Sequence, residues 1–568
     1  MDAPWIKFYE DGVPKSIVYP SGTLPDLLDA AAAEFGDKTA LTFYADPKLP
    51  PSRMSYRDFR DATLRLATAL YQLGVRKGDR VAIMLPNCPQ FPITFYALLR
   101  LGAVAVNTNP LYVSREMKEQ FHDAGAETVV LLNAFFPRLR EIQQATRIKR
   151  VIVVDVAETL SFPFRQIVRL VQKKHGEYVD VKAAPDIFFW PRLVKKHPPT
   201  PPEVRVATSD VALLQYTGGT TGTPKAAMLT HANLIANTLQ IQAWFHAAQR
   251  GKEVCMGAIP FFHVYGMTTC MLYGVSVGAE IVMVPRPRPV DIVMKVLQKT
   301  KATIFPGVPT LYTAINHHPD VKKYALGSVK LCLSGAAPLP MEVAETFERI
   351  TGGRLVEGYG MTESSPVSIA NPLFGTRRPG TIGVPLPDTD AKIVDLETGA
   401  TLGPGREGEL AVRGPQVMKG YWGRDDETAL TIKDGWLHTG DIATMDADGF
   451  VTIVDRKKDM IVASGLKVLP REVEEVLFQH PKVQEAVVAG VPDPYRGETV
   501  KAYIVLKSGE TATAEEIIEH CKGKLAGFKV PRQVEFRAEL PKTMVGKVLR
   551  RVLVDEEKKK QAAGQGSA

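Results

Sequence analysis

Between residues 80 and 133 a short, continuously apolar run alternates with an amphipathic one. RVAIMLP (80–86) reads as a strand and PQFPITFYALLRLG (89–102) as a helix. AVAVNTNP follows as a strand, then a helix near 114–124, then the strand ETVVLLN (127–133). Strands with no polar face must be covered on both sides, so this alternation predicts parallel sheets with helices above and below. The pattern returns in AEIVMVP (279–285), VDIVMKVLQKT (290–300), ATIFPG (302–307), VKLCLSG (329–335) and RLVEG (354–358). Two doubly wound layers are therefore expected. From about 380 the texture changes. GELAVRG and GFVTIVDRKKDMIVASG read as antiparallel strands with glycine turns, which predicts a small β-barrel over about 375–457. Beyond about 459 a small α+β unit is expected: a helix at 470–479, the strands QEAVVAGV and TVKAYIVL, a helix near 513–525, and VEFRAEL. The predicted class is α/β, with a large N-terminal domain (1–457), a small C-terminal domain (458–552) and a disordered tail (553–568).

Composition excludes some functions. The net charge of +8, spread over 568 residues, is mild, and no long Lys/Arg block carries interleaved aromatics. Nucleic acid is thereby disfavoured, while anionic ligands or a membrane surface stay open. The five cysteines form no CxxC pair, which argues against a disulfide framework or a zinc site. MDAPWIKFYEDG lacks a basic-then-apolar signal pattern, so a cytoplasmic location is expected, with peripheral attachment to a membrane left open.

Residues 254–279 contain no Asp, Glu, Lys or Arg, a length that would span a bilayer. Pro260, His263 and the glycines interrupt it, so the reading is a buried strand, a turn and a buried helix. In segment 161–180, Phe164, Ile167, Val168 and Val171 follow helical spacing beside Arg165, Arg169 and Lys173. Such a helix lies on an anionic membrane or packs as a surface helix on its own domain; the second reading is placed first.

The run YTGGTTGTPKAAMLTH (216–231) lies between the apparent strand ALLQYT (212–217) and the apparent helix HANLIANTLQIQAWF (231–245). Glycines let backbone amides approach phosphate oxygens, hydroxyls add donors, and Lys225 supplies a compact positive charge. A Walker loop requires GxxxxGK[ST]; here Pro224 precedes and Ala226 follows the lysine.

This run resembles the phosphate-loop signature of adenylate-forming enzymes, the acyl-CoA synthetase, luciferase and peptide-synthetase adenylation superfamily, in which Gly usually stands where Ala226 does. Five further stretches agree in order: FFHVYGMT (261–268), SGAAPLP (334–340), GYGMTES (358–364), GWLHTGDIATMDADGFVTIVDRKKDMI (435–461) and PKTMVGKVLRR (541–551). ASGLKVLPREVEEVL (463–477) is also similar, with Leu469 where the family often has an aromatic. The resemblance covers about residues 40 to 552.

It implies that Thr217, Gly218, Gly219, Thr220, Thr221, Gly222 and Lys225 hold the nucleotide phosphates. Gly335, Ala336 and Ala337 would lie against adenine and the acyl group. Glu357, Gly358, Tyr359, Gly360, Met361 and Thr362 would line the nucleotide, with Thr362 on the α-phosphate and Glu363 holding Mg²⁺, for which a carboxylate is a suitable hard ligand. Asp441 would accept from the ribose hydroxyls, Ile453 and Arg456 would reach the nucleotide, and Lys458 would be the hinge. His263 and Met267 would border the path of the carboxylate and thiol, and Gly465 would let the pantetheine arm pass. Lys547 would stabilise charge during adenylation.

ATP, Mg²⁺ and coenzyme A follow from the resemblance; the acid does not. The uncharged 254–279 stretch offers little to pair a second charge, which disfavours an amino acid substrate. The insert SFPFRQIVRLVQKKHG…IFFWPRLVKKH resembles that of bacterial long-chain fatty acid–CoA ligases. The expected function is ATP-dependent activation of a long-chain fatty acid through acyl-AMP to acyl-CoA. Alternatives are a medium-chain or aryl acid, loading of an acyl carrier protein, and a silent lipid- or nucleotide-binding relative. A homodimer also stays open.

Overall fold

The computed structural model describes residues 3–217, 224–457, 459–463, 466–493, 497–522, 524–543 and 548–565. An eight-stranded sheet runs in the order Gly420–Tyr421, Lys225–Thr230, Val211–Thr217, Val104–Asn107, Arg80–Met84, Thr128–Leu132, Arg150–Val154, Ile187–Phe189. The last six strands are parallel, as their alternation with helices predicts, and the first two are antiparallel additions. A second sheet contains Ser52–Ser55, Thr39–Phe43, Glu280–Met283 and Val254–Gly257. Bridges of Ile304 to Cys255 and to Leu331 carry it on to Leu331–Ser334, Arg354–Gly360, Val367–Ala370 and Val384–Pro385.

The largest core cluster draws on helices Tyr56–Gln72, Gln90–Arg100 and His231–Trp244. In Gln90–Arg100 every residue except Arg100 is buried, which is why its sequence is apolar on all sides. Tyr56–Gln72 starts where the Ser55 side chain accepts from the Asp58 amide, satisfying one of the free donors of its first turn. The uncharged stretch becomes the strand Val254–Gly257, then Val264–Gly266, a π-helical turn Met267–Leu272 and Tyr273–Val277. Its apolar side chains are core residues, and among the described residues no helix is long and apolar enough to cross a membrane.

Where the small barrel is expected, Asp390–Val394, Gly408–Arg413, Trp436–Met445, Ile432–Lys433 and Val451–Arg456 form an antiparallel five-stranded unit with its own core. The C-terminal strands Ile461–Ala463, Leu466–Val468, Val483–Asp493, Gly497–Leu506 and Gln533–Phe536 form a further sheet, covered by Pro470–Phe478 and Ala514–Lys522.

Two local expectations are corrected. The Gly–Thr run does not join a strand to a helix: its second half, Lys225–Thr230, is itself a strand, antiparallel to Val211–Thr217, with Thr217 opposite Lys225. The tail expected to be disordered from 553 is helical over Arg550–Gln565. Leu553 is fully buried, and Lys501 pairs with Glu557 at 2.7 Å, so this helix is bound to the C-terminal sheet by both apolar and ionic contacts.

Candidate active site

The tip of the hairpin, Gly218, Gly219, Thr220, Thr221 and Gly222, lies outside the described residues, as do Lys458, Gly465 and Lys547. The base of the hairpin is well defined. Thr217 Oγ1 donates to the Lys225 carbonyl at 3.4 Å, closing the two strands beneath the tip. Strand Gly420–Tyr421 adds to the far edge, with Tyr421 opposite Ala227. Ala226 is buried there, so the methyl group at this family-glycine position is absorbed by core packing.

That third strand brings in residues that sequence reasoning missed. Lys225 Nζ pairs with Glu427 and lies 5.5 Å from the centre of the Tyr421 ring. The Tyr421 hydroxyl donates to Glu363 Oε1 at 2.7 Å. Glu363 is buried on the short 3₁₀ turn Thr362–Ser364, which follows directly from Arg354–Gly360. Lys225 and Glu363, far apart in sequence, are thus neighbours through one tyrosine. Thr362 sits half-buried beside Glu363 on the same turn.

Four residues earlier on the chain, the Tyr359 hydroxyl donates to Asp441 Oδ2 at 2.6 Å, and Arg456 Nε lies 3.0 Å from Asp441 Oδ1. Asp441 and Arg456 face one another across the Trp436–Met445 and Val451–Arg456 strands, so sheet register holds the pair. Burial and the Asp441 charge hold the Tyr359 phenol well above its ordinary range, and it stays a proton donor. Gly358 and Gly360 belong to the same strand, and Met361 links it to the Thr362–Ser364 turn. Ile453 lies on the strand carrying Arg456, and its carbonyl accepts from Arg471 Nη1 at 2.8 Å.

The third group borders the buried, uncharged stretch. Asn107 Nδ2 donates to Gln215 Oε1 at 3.0 Å and contacts Met267 Sδ at 3.6 Å, while Gln215 Nε2 donates to the Phe262 carbonyl at 3.0 Å. The strand that carries the Gly–Thr hairpin is therefore tied to the FFHVYGMT segment through buried hydrogen bonds. His263 caps Val264–Gly266, its Nδ1 accepting from the Tyr265 amide at 3.2 Å. The Tyr265 hydroxyl donates to Leu333 O at 2.6 Å and Gly307 O at 3.0 Å. A Cβ at Gly335 would sit 2.9 Å from the Tyr265 ring, so only glycine lets the SGAAPLP turn approach this closely. Ala336 follows with φ of +70°, a left-handed residue at a tight strand-to-helix turn, and Ala337 is next in that turn. The Leu339 amide donates to Glu357 Oε2 at 3.1 Å, and burial pushes the Glu357 carboxyl up to about 7.

The π-helical turn beginning at Met267 was also not read from sequence. Such turns gather at functional sites, and this one starts at the residue that touches Asn107.

Two family models match the chain: AMP-binding enzyme over residues 28–422, and AMP-binding enzyme C-terminal domain over residues 472–547. The chain belongs to the AMP-binding enzyme family. Within that family it is 45% identical to a long-chain-fatty-acid–CoA ligase of Bacillus subtilis (strain 168), across 98% of both chains. It is 40% identical to a long-chain-fatty-acid–CoA ligase of Salmonella typhimurium, again across 98% of both. Among solved structures, the anthranilate CoA ligase AuaEII in complex with anthranoyl-AMP superposes with a TM-score of 0.82, at 28% identity, over 96% of this chain and 99% of that one.

For this AMP-binding enzyme the donor set bears on the metal. Among the described residues no cluster of three or more His, Cys, Asp or Glu forms a protein cage. Glu363 spends one oxygen on Tyr421, and its second takes no hydrogen bond from the described residues. A single carboxylate with one open oxygen fits Mg²⁺, which commonly binds through one or two protein carboxylates and substrate phosphates.

Proposed function

We propose that this chain is a long-chain fatty acid–CoA ligase that works through an acyl adenylate. The fatty acid carboxylate attacks the α-phosphorus of ATP and pyrophosphate leaves with the electrons of the broken P–O bond. The thiol of coenzyme A then attacks the acyl carbon, loses its proton, and displaces AMP. The observation that carries the reading is the convergence of Lys225, Tyr421 and Glu363 beside the Tyr359–Asp441–Arg456 group.

Lys225, with Lys547 of the C-terminal motif, offsets negative charge on the phosphates and pentacoordinate phosphorus; this is electrostatic work more than proton transfer. Glu363 would hold Mg²⁺ through its open oxygen, and the ion would supply charge neutralisation at the phosphate oxygens. Thr362 donates to the α-phosphate. Asp441 accepts from the ribose hydroxyls, and Arg456, 3.0 Å away, holds it in place. The backbone of Gly335, Ala336 and Ala337 and the strand Glu357–Gly360 border the adenine. His263 and Met267 border the route of the acyl chain, and Gly465 the pantetheine arm. Residues 458–552 turn about Lys458 between the half-reactions, so that one joint serves both steps.

Pyrophosphate release measured with a panel of acids, with and without coenzyme A, tests this. Burying each added methylene contributes about 0.8 kcal/mol, so KM should fall about fourfold per methylene until the slot is full. Pyrophosphate with acyl-CoA only when thiol is present supports the ligase. Pyrophosphate release with no thioester in any arm contradicts it, as does preference for an aryl acid.

A further inference from the structure

The helix Phe164–Lys174 leaves more apolar surface exposed than a helix that serves only its own fold. None of its residues is buried. Its half-buried positions are Phe164, Arg165, Val168, Arg169 and Gln172, whereas Ile167 is 42% exposed, Leu170 67% and Val171 52%. Phe162, just ahead of the helix, is 80% exposed. The charged side faces the body: Arg169 Nε meets the buried Asp155 at 2.5 Å, and Arg165 Nη2 donates to the carbonyls of Glu158 and Leu160 at 3.1 Å. A surface helix ordinarily buries its apolar stripe and solvates its charges. Here two guanidinium groups join the half-buried Phe164 and Val168 in fastening the helix, and Ile167, Leu170 and Val171 look outward.

The charge around this stripe selects its partner. Residues 161–176 contain four Lys or Arg and no Asp or Glu. Lys173 and Lys174 close the exposed end, Lys173 also reaching Asp180 at 2.9 Å. We propose that this helix is a docking face for an anionic lipid bilayer, inserting Phe162, Ile167, Leu170 and Val171 at the level of the headgroups while Lys173 and Lys174 meet lipid phosphates. The buried Asp155–Arg169 contact keeps the stripe turned outward, so docking requires no rearrangement of the fold. The proposal concerns a surface remote in sequence from every residue of the nucleotide site, and it stands independently of the acid used.

The full-length chain is sedimented with vesicles of phosphatidylcholine alone and with vesicles containing phosphatidylglycerol. Strong binding to the anionic vesicles, weakened by salt, is expected. Ile167→Gln/Leu170→Gln/Val171→Gln should bind them at least about tenfold more weakly, and Lys173→Glu/Lys174→Glu should lose the salt-sensitive part. Both variants change exposed side chains, so melting temperature and adenylation of a short, water-soluble acid stay as in the unsubstituted chain. Three results would overturn the proposal: no binding to anionic vesicles, equal binding by the variants, or light scattering that shows the apolar stripe holding two protein chains together.

Discussion

Tyr359 gives its hydroxyl hydrogen to Asp441 at 2.6 Å, and Tyr421 gives its own to Glu363 at 2.7 Å. The chemistry is the same, but the electrostatics differ. Asp441 is also held by Arg456 at 3.0 Å from the neighbouring strand, so its charge is neutralised within a rigid sheet. Glu363 has no ion pair among the described residues, because the nearby ammonium of Lys225 is taken by Glu427. A neutralised, oriented carboxylate suits fixed hydroxyl donors. A buried carboxylate with uncompensated charge suits an arriving cation, since burial without a counter-ion is costly.

If this contrast is right, substitutions on the two sides have different signatures. Glu363→Gln should lower kcat for adenylation by roughly three orders of magnitude and raise the Mg²⁺ concentration needed for half-maximal rate, while removing a buried, unpaired charge leaves the melting temperature equal or higher. Steady-state kinetics across a magnesium titration checks this. Asp441→Asn should act on ATP binding, raising KM for ATP by about tenfold to a hundredfold with little change in magnesium dependence; it also strands Arg456 and lowers the melting temperature. Tyr421→Phe keeps the ring beside Lys225 but removes one donor to Glu363, and about tenfold loss in kcat/KM is expected. If Tyr421→Phe and Tyr359→Phe shift the same parameter, the two sides are not distinct.

The smallest effect concerns pH. Glu357 has a folded-state carboxyl raised by burial to about 7. A raised acid contributes stability that is complete below its unfolded value, ordinarily about 4.3, and is lost as pH rises through the folded value. Glu357→Gln should remove that decline, so the difference in melting temperature between variant and unsubstituted chain grows from pH 4.5 to pH 7.5. A difference that is flat across this window contradicts the burial argument.

Legibility from sequence followed the physics of each region. The parallel strands were readable because strands covered on both faces must be continuously apolar, as VAIM (81–84) and VVLL (129–132) are. Lys225–Thr230 was not, since its two alanines carry little strand preference and the preceding glycines drew the whole run into one loop. Lys225 and Glu363 could be named from the motifs, but Tyr421 and Glu427 could not. They reach the site only because Gly420–Tyr421 pairs with Ala227 and Met228, nearly two hundred residues away, and no local pattern encodes such pairing. The tail was misread because its polar composition resembles disorder, although Leu553, Glu556 and Glu557 at helical spacing mark a docked face. The outward apolar side of Phe164–Lys174 was visible as amphipathicity, but its direction was set by Asp155, which the helix sequence does not contain.

The most direct test of the account is palmitate-driven exchange of labelled pyrophosphate into ATP, with no coenzyme A present, followed over a magnesium series. The prediction is rapid, magnesium-dependent exchange by the unsubstituted chain, nearly abolished in Glu363→Gln and recovered in Asp441→Asn at high ATP. No exchange by the unsubstituted chain, or exchange in Glu363→Gln equal to it at every magnesium concentration, would contradict the account.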